Sequence, residues 1–136
     1  MSTIFEKIIQ REVPADIVYE DDCVLAFLDI RPNSKGHTLI VPKECFVNIF
    51  DADDEVIGHM MRIAKKISHA LVKATGASGV NLVMNNGADA GQEVFHAHLH
   101  VIPRMAHDGV FSAPQHTTYI QDEATTLAEA IKNAIA

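Results

Sequence analysis

Three histidines within five residues are the feature of this sequence that most clearly indicates chemistry. His96, His98 and His100 alternate with single apolar residues in the segment 94–102, VFHAHLHVI. That segment is rich in strand-forming residues and is followed by Pro103, so we expect a strand that ends there. Alternate side chains of a strand lie on the same face, about 6.8 Å apart. The spacing therefore predicts three imidazoles in a row on one face.

Imidazoles arranged in this way can perform two kinds of chemistry. A His-x-His pair on a strand can supply two zinc ligands, with a third ligand from elsewhere. Alternatively, a neutral imidazole nitrogen can attack phosphorus and carry the phosphoryl or nucleotidyl group as a covalent intermediate. The neighbouring histidines would then bind the phosphate oxygens and handle the leaving-group proton. From these residues alone both interpretations stay open, and a solvated strand face without a role is a third.

The segment before the histidines favours phosphate chemistry. It contains Asn85, Asn86 and Gly87, and then Gly91 and Gln92. Amide side chains and exposed backbone N–H groups donate hydrogen bonds to phosphate oxygens, and glycine permits close approach. Few carboxylates lie nearby to complete a metal shell. An ordinary turn is the alternative interpretation of Asn85 to Gly87.

The remaining pattern predicts the elements that position these side chains. Strands are expected over 17–20, 23–30, 37–42, 79–85 and 94–102, and terminal helices over 3–10 and 122–135. A long helix is predicted by Val56, Met60, Ile63 and Ile67, which repeat at spacings of three and four. Consecutive strands around one long helix indicate an α+β fold with a mostly antiparallel sheet.

Composition excludes several classes of protein. The chain has 136 residues, enough for one domain, and a formal net charge of -7, which argues against a general nucleic-acid binder. No apolar run reaches the roughly 18 residues of a membrane span, and the charged N-terminus is not typical of a secretory signal. The two cysteines, Cys23 and Cys45, form no close-spaced motif, so we expect a reducing compartment, the cytoplasm.

The sequence resembles the histidine triad (HIT) family of nucleotidyl hydrolases and transferases. The signature of that family is His-φ-His-φ-His-φ-φ, with φ hydrophobic, and residues 96–102 read HAHLHVI. TIFEKII at 3–9, the segment 18–32 and GHTLIVPK at 36–43 occur in the family's order. AGQEVFHAHLHVIPR at 90–104 is similar to the branch of small HINT-like purine nucleoside phosphoramidases.

The resemblance implies roles for four histidines. His98 matches the nucleophile that attacks the α-phosphate of a nucleotide. His100 would contact the phosphate, and His96 would support the network around it. His37 matches a further histidine near the triad, although a structural histidine is an alternative.

The resemblance also implies a nucleotide-binding site. Asn85 and Gln92 match residues near the phosphate and the leaving group, and Asp29 matches an acidic residue that holds the ribose hydroxyls. The walls of the base pocket would be Ile4, Phe5, Ile8, Phe27 and Ile30. Without the resemblance, Ile4, Phe5, Ile8 and Phe27 are expected in the core and Asp29 at the end of a strand or in a turn.

The sequence departs from the family pattern at two places. Many HINT-like proteins have serine where Glu93 stands, so a carboxylate near an anionic substrate bears on substrate preference. Counting back along a strand from His96, however, puts Val94 rather than Glu93 on the histidine face. Some microbial relatives bind a structural zinc through a Cys-x-x-Cys pair near the N-terminus. Thr3 and Glu6 stand at those positions, so we expect no such zinc and no other metal or cofactor.

Taken together, we expect a single HIT-like domain over 1–136, with its triad motif at 96–102 and a C-terminal tail and helix over about 104–136. The fold implied is a sheet of about five antiparallel strands with one long helix packed on it and a short N-terminal helix. The expected activity is hydrolysis of purine nucleoside phosphoramidates by a homodimer, through a nucleotidyl-histidine intermediate. A dinucleoside polyphosphate hydrolase, a nucleotide-binding regulatory protein with weak catalysis and a metal-dependent hydrolase are the alternatives. No nucleic-acid or membrane partner is expected.

Overall fold

The computed structural model describes residues 2–111 and 113–135. In chain order its elements are α1 (Ile4–Ile9), β1 (Ile17–Glu20), β2 (Val24–Leu28), β3 (Thr38–Pro42), α2 (Asp54–Thr75), β4 (Gly79–Val83), β5 (Leu99–Arg104) and α3 (Glu123–Ala134). The five strands form one sheet in the order β1-β2-β3-β5-β4, and all neighbours are antiparallel. The predicted α+β fold, with its long helix and short N-terminal helix, is therefore confirmed.

Helix α2 covers one face of the sheet. Its buried residues Met60, Ile63 and Ile67 pack with Val24 of β2 and Val101 of β5. The helix ends at Gly76, which adopts the left-handed conformation with φ 75° that glycine favours. Among the described residues no helix is both long and apolar enough to cross a membrane.

Helix α1 covers part of the opposite face. Thr3 caps it, because its side-chain oxygen accepts a hydrogen bond from the Glu6 N–H at 3.2 Å. Phe5 and Ile8 are buried against Phe27 and the other apolar residues on this face of β2 and β3. The two faces of the sheet thus bury different side chains, and the face under α1 is the one that carries the candidate site.

The histidine strand begins later than its composition predicts. Strand β5 starts at Leu99, which pairs with Ile40, so the expected strand over 94–102 is shorter at this end. The partner strand β3 ends at Pro42, which has no N–H to continue the ladder, and its carbonyl accepts a hydrogen bond from the His96 side chain instead. His96 and His98 consequently lie in an irregular segment, outside the regular alternation of a strand.

The end of β5 also differs from the prediction. The strand continues through Pro103, which pairs with Val80 of β4, and ends at Arg104. In a strand, the nitrogen and the carbonyl of one residue face the same side. The Pro103 carbonyl accepts a hydrogen bond from Ser34, so the Pro103 nitrogen also faces the β3 side, at a point beyond the start of β3 at Thr38. No ladder hydrogen bond is lost there, and proline is tolerated.

Within the described residues, the contacts of the C-terminal segment with the sheet lie near its beginning. Arg104 donates hydrogen bonds to Asp108 and Asn81, and its guanidinium lies 5.0 Å from the centre of the Phe111 ring. Every described residue from 113 to 135 is exposed, including all of α3.

Candidate active site

Two adjoining clefts lie on the α1 side of the sheet. The polar cleft, of about 380 Å³, is lined by His37, His98 and His100 among others. The apolar cleft, of about 490 Å³, lies beside it. Phe5 and Asp29 line both clefts, so the two form one continuous groove.

The hydrogen bond made by His98 leaves one of its nitrogens free. His98 Nδ1 lies 2.7 Å from the carbonyl oxygen of His96, and because a carbonyl only accepts, Nδ1 carries the proton. In the neutral ring Nε2 is then an unprotonated lone pair. Among the described residues no buried side-chain nitrogen or oxygen lacks a partner, so the unpartnered Nε2 is open to the polar cleft. This nitrogen is positioned to act as a nucleophile.

A chain of hydrogen bonds gives His100 the opposite tautomer. The Asn33 N–H donates to His37 Nδ1 at 3.0 Å, so the proton of neutral His37 is on Nε2. That nitrogen is 2.8 Å from His100 Nδ1, which must accept. The proton of neutral His100 is therefore on Nε2, which has no partner in the described chain and can donate to a phosphate oxygen.

The pKa values agree with neutral imidazoles at this site. Burial lowers the pKa of His98 below its usual value, and it lowers the pKa of His37 in the same way. Burial, together with the neighbouring rings of His98 and His37, lowers the pKa of His100 to about 4. Asp29 opposes these shifts without cancelling them. At neutral pH the three rings are therefore uncharged.

His96 lies behind the site and is fully buried. Its Nε2 donates to the Pro42 carbonyl at 2.8 Å, and its Nδ1 faces the Thr3 hydroxyl at 3.5 Å. Phe5 packs edge-on against both His96 and His98, with ring centres 6.1 and 5.0 Å away. The His96 carbonyl orients His98, and the supporting role of the His96 ring stays a prediction.

The two amide residues predicted near the phosphate lie in different places. Asn85 lines the polar cleft, and its amide makes no hydrogen bond to another described residue. Gln92 is buried instead: its Nε2 donates to the carbonyls of Val47 and Val94, and its Oε1 accepts from Asn48 and Gly87. Both hydrogens of the Gln92 amide are engaged, so none is left for the predicted contact with a phosphate oxygen. Gln92 holds the loop together.

The residues predicted for the nucleoside lie together in the apolar cleft. Its lining includes Ile4, Phe5, Ile8, Phe27, Asp29 and Ile30. Phe5, Ile8 and Phe27 also belong to the core, and their role as walls of a base pocket stays a prediction. Ile30 is 94% exposed and contributes to the rim alone. Asp29 Oδ1 accepts from the Arg31 N–H at 2.9 Å, whereas Oδ2 is 3.7 Å from His37 Nε2.

Three further residues line the polar cleft. The sequence analysis did not name Arg31 or Asn33 as site residues, and it left open whether Glu93 faces the site. Arg31 and Asn33 follow Asp29 in a segment that reads as a turn, and their closeness to Asp29 was the available signal. Glu93 also lines the cleft. Strand alternation does not apply to Glu93, because the regular strand starts six residues later at Leu99.

Two groups of side chains in the described chain could hold a metal ion: Glu6, Cys45 and His96, and Asp29, His37 and His100. In the second group His37 and His100 are hydrogen-bonded directly to each other, which leaves no space between them for an ion. The first group offers a carboxylate, a thiol and an imidazole, one donor fewer than the usual four-coordinate zinc site. Burial and a hydrogen bond with Glu6 raise the pKa of the Cys45 thiol. The absence of a structural zinc stays a prediction, and metal analysis of the purified protein would test it.

The arrangement combines a free imidazole nucleophile, an imidazole donor beside it, an unpaired amide and an adjoining apolar groove. A site of this kind is suited to nucleotidyl transfer to and from histidine. The HIT domain profile matches residues 10–107, most of the chain. The chain therefore belongs to the HIT family, which comprises nucleotide-binding hydrolases and transferases.

Individual relatives agree with this assignment. The chain is 39% identical over 117 residues to a purine nucleoside phosphoramidase of Escherichia coli, covering 79% of this chain and 97% of that protein. It is 39% identical over 132 residues to an adenylylsulfatase of Arabidopsis thaliana, covering 95% of this chain and 67% of that protein. A crystal structure of a HIT family protein from Bacillus subtilis superposes with a TM-score of 0.92 at 37% identity, covering 100% and 99% of the two chains.

Proposed function

We propose that this protein hydrolyses purine nucleoside phosphoramidates through a covalent nucleotidyl intermediate on His98. The observation that supports this most directly is the hydrogen bond from His98 Nδ1 to the His96 carbonyl, which leaves Nε2 unprotonated at the cleft. The E. coli relative that is 39% identical carries the corresponding name.

The reaction takes place in two displacements at phosphorus. In the first, His98 Nε2 forms a bond to the α-phosphorus while the phosphorus–nitrogen bond of the substrate breaks. Its electron pair stays on the leaving nitrogen, which takes a proton from solvent in the open cleft. In the second, water attacks phosphorus, the bond to His98 breaks, and a proton from that water passes to solvent. His100 Nε2–H and the Asn85 amide donate to the phosphate oxygens in both steps, where negative charge develops.

The adjoining groove supports a nucleoside as the group transferred. Its apolar walls offer a slot for a flat base, and the Asp29 carboxylate at the junction with the polar cleft can accept hydrogen bonds from ribose hydroxyls. This arrangement accounts for the base, the sugar and the phosphate in the order in which they are joined in a nucleotide.

One observation supports a second class of leaving group. The similarity to an adenylylsulfatase of Arabidopsis thaliana favours a mixed anhydride of a nucleotide as a second substrate class. Dinucleoside polyphosphates present the same α-phosphorus with a phosphate leaving group. A nucleotide-binding regulatory protein would keep the binding groove and show weak turnover or none.

The test is turnover of adenosine phosphoramidate, adenylyl sulfate and diadenosine polyphosphate, together with mass measurement of the protein after a rapid denaturing quench. We expect turnover of the phosphoramidate in the presence of chelator, and an adduct of one nucleoside monophosphate on His98. His98→Ala should abolish both and still bind nucleoside monophosphate, whereas the exposed-histidine control His116→Ala should behave as wild type. An adduct on another residue, or full turnover by His98→Ala, would show that the assignment is wrong.

A second copy of the chain is part of this proposal. Strand β4 is at the edge of the sheet, and Leu82 on it and Met61 on α2 are exposed apolar residues. The 12-residue α3 exposes Leu127 and Ile131, and an isolated helix of about this length is marginal in water. These surfaces support a homodimer, which sedimentation equilibrium at micromolar concentration would detect; a monomer there would contradict it. Cys23 and Cys45 are both free, which supports a cytoplasmic location.

A further inference from the structure

Glu93 lies at the wall of the polar cleft, between two residues whose positions are fixed. The residues on either side of it are held in place: Gln92 is buried with its amide fully engaged, and the Val94 carbonyl accepts from Gln92 Nε2 at 3.1 Å. The Gln92 amide therefore reaches across Glu93 and bends the chain there. Val94 packs against the apolar residues under α1, while Glu93 is exposed to the cleft that also contains His98.

The charges of the cleft do not suit an anionic leaving group. Its charged lining residues are Asp29, Arg31 and Glu93, and its histidines are neutral, so the formal charge of the lining is negative. Asp29 has a structural partner in the Arg31 N–H. Glu93 makes no hydrogen bond or ion pair with any described residue. Its carboxylate is an unpaired negative charge at the wall of the cleft, as the Arg31 guanidinium is an unpaired positive one among the described residues.

We propose that Glu93 selects substrates whose amine leaving group bears a positive charge beyond the phosphorus–nitrogen bond. This inference rests on the proposed function, because it specifies the leaving group of that reaction. A cationic leaving group places its charge near the Glu93 carboxylate, whereas a phosphate, sulfate or carboxylate there is repelled. Glu93 touches the departing part of the substrate and is a specificity-determining residue; the bond changes at phosphorus stay those of His98.

Three matched adenosine phosphoramidates test the proposal, made from 1,4-diaminobutane, butylamine and 4-aminobutyrate. They have the same chain length and differ in the far end, which is cationic, neutral or anionic. We expect wild-type kcat/KM to be roughly two- to fivefold higher for the cationic than for the neutral compound, the range for an exposed ion pair. The anionic compound should be the poorest of the three, and the differences should shrink at high salt.

The variant Glu93→Gln keeps the shape of the side chain and removes its charge. Its kcat/KM for the three compounds should become nearly equal, because the charge that distinguishes them is gone. Glu129→Gln, an exposed position on α3 that lines neither cleft, should keep the wild-type order. Turnover of all three compounds with the same ratios in wild type and Glu93→Gln would overturn the role of Glu93 and leave the proposed function intact. Absence of turnover and of a His98 adduct with every compound would overturn both.

Discussion

At the scale of single residues, the chemistry depends on which nitrogen of each ring carries a proton. Each tautomer is set by a backbone partner. The partner of His98 is a carbonyl, which can only accept a hydrogen bond, and the partner of His37 is an N–H, which can only donate one. His37 Nε2 then donates to His100 Nδ1, which fixes the tautomer of His100. The nucleophile and the neighbouring donor therefore present opposite kinds of nitrogen to the same cleft.

The role of His37 as a positioning residue leads to the first prediction. His37→Phe removes the donor to His100 Nδ1, so His100 no longer has a fixed tautomer. We expect kcat to fall by about tenfold with KM little changed, since one hydrogen bond contributes roughly 0.5–1.5 kcal/mol. His37→Gln retains an N–H donor and should recover part of the loss. Steady-state kinetics checks this, and equal kcat values for the two variants would mean that His37 only fills space.

The second prediction concerns the sugar. Asp29→Asn keeps an oxygen to accept the Arg31 N–H and so preserves the turn, but removes the negative charge. We expect binding of adenosine monophosphate to weaken by about 1.5–3 kcal/mol, the range for hydrogen bonds to charged groups. The 2′,3′-dideoxy analogue should be affected far less. Calorimetric titration of both ligands measures the difference, and an equal loss for both would assign Asp29 a purely structural role.

At the scale of elements, Gln92 is the side chain with the most hydrogen bonds in the described loop before β5. Gln92 joins Val47, Asn48, Gly87 and Val94, so that the segment before α2 and the segment after β4 meet at one buried amide. This loop carries Asn85 on one side of the amide and Glu93 on the other. Its geometry therefore sets the wall of the polar cleft.

The third prediction follows from these four hydrogen bonds. Gln92→Leu leaves the Gly87 N–H and two carbonyls without their partner, and a buried unsatisfied polar group costs about 1–3 kcal/mol. We expect the free energy of unfolding in urea to fall by about 2–3 kcal/mol and turnover to fall with it. The control Gln121→Leu, at an exposed position, should change neither. Unchanged stability of Gln92→Leu would show that the other contacts of the loop, such as the hydrogen bond from the Ile49 N–H to Asn86 Oδ1 at 2.8 Å, are enough to hold it.

The same scale shows how far the sequence predicts the structure. Periodicity and capping residues predicted the three α-helices and the positions of all five strands along the chain, because those signals are local. The limits of β5 were wrong, because they depend on where its neighbour β3 ends and on Pro42, which is distant in sequence. Residues that share a cleft, such as His37 with His100, could be named from the family motif. The position of Gln92 could not, since its four partners come from three separate segments.

The hairpin between β1 and β2 gives a further example. The sequence predicts a two-residue turn at Asp21 and Asp22 without the usual glycine. In the structure Asp21 Oδ1 accepts from the N–H groups of Cys23 and Val24, both at 2.8 Å, and so replaces the conformational freedom of glycine with hydrogen bonds. Its Oδ2 lies 2.6 Å from His59 Nε2 and ties the turn to α2. No local pattern indicates that second contact.

At the scale of the whole molecule, the neutral histidines link the site to stability. In the unfolded chain a histidine has a pKa of about 6.5, whereas burial lowers the pKa of His37 and His98 and brings that of His100 to about 4. Between these values the unfolded chain binds more protons than the folded protein. Stability therefore rises with pH over this interval: the contribution is complete above about pH 6.5 and is lost as the pH falls toward 4.

The fourth prediction measures this linkage and separates it from catalysis. Urea unfolding of the wild type should show a falling free energy between pH 7 and pH 4.5, with His100 alone accounting for up to about 3 kcal/mol over its full shift. His100→Gln cannot take up a proton, so its stability should depend less on pH, whereas the exposed control His116→Gln should follow the wild type. Because His98 also has a lowered pKa, turnover should persist below pH 6.5 and decline only as His98 becomes protonated. Parallel stability curves for wild type and His100→Gln would show that folding does not lower the pKa of His100.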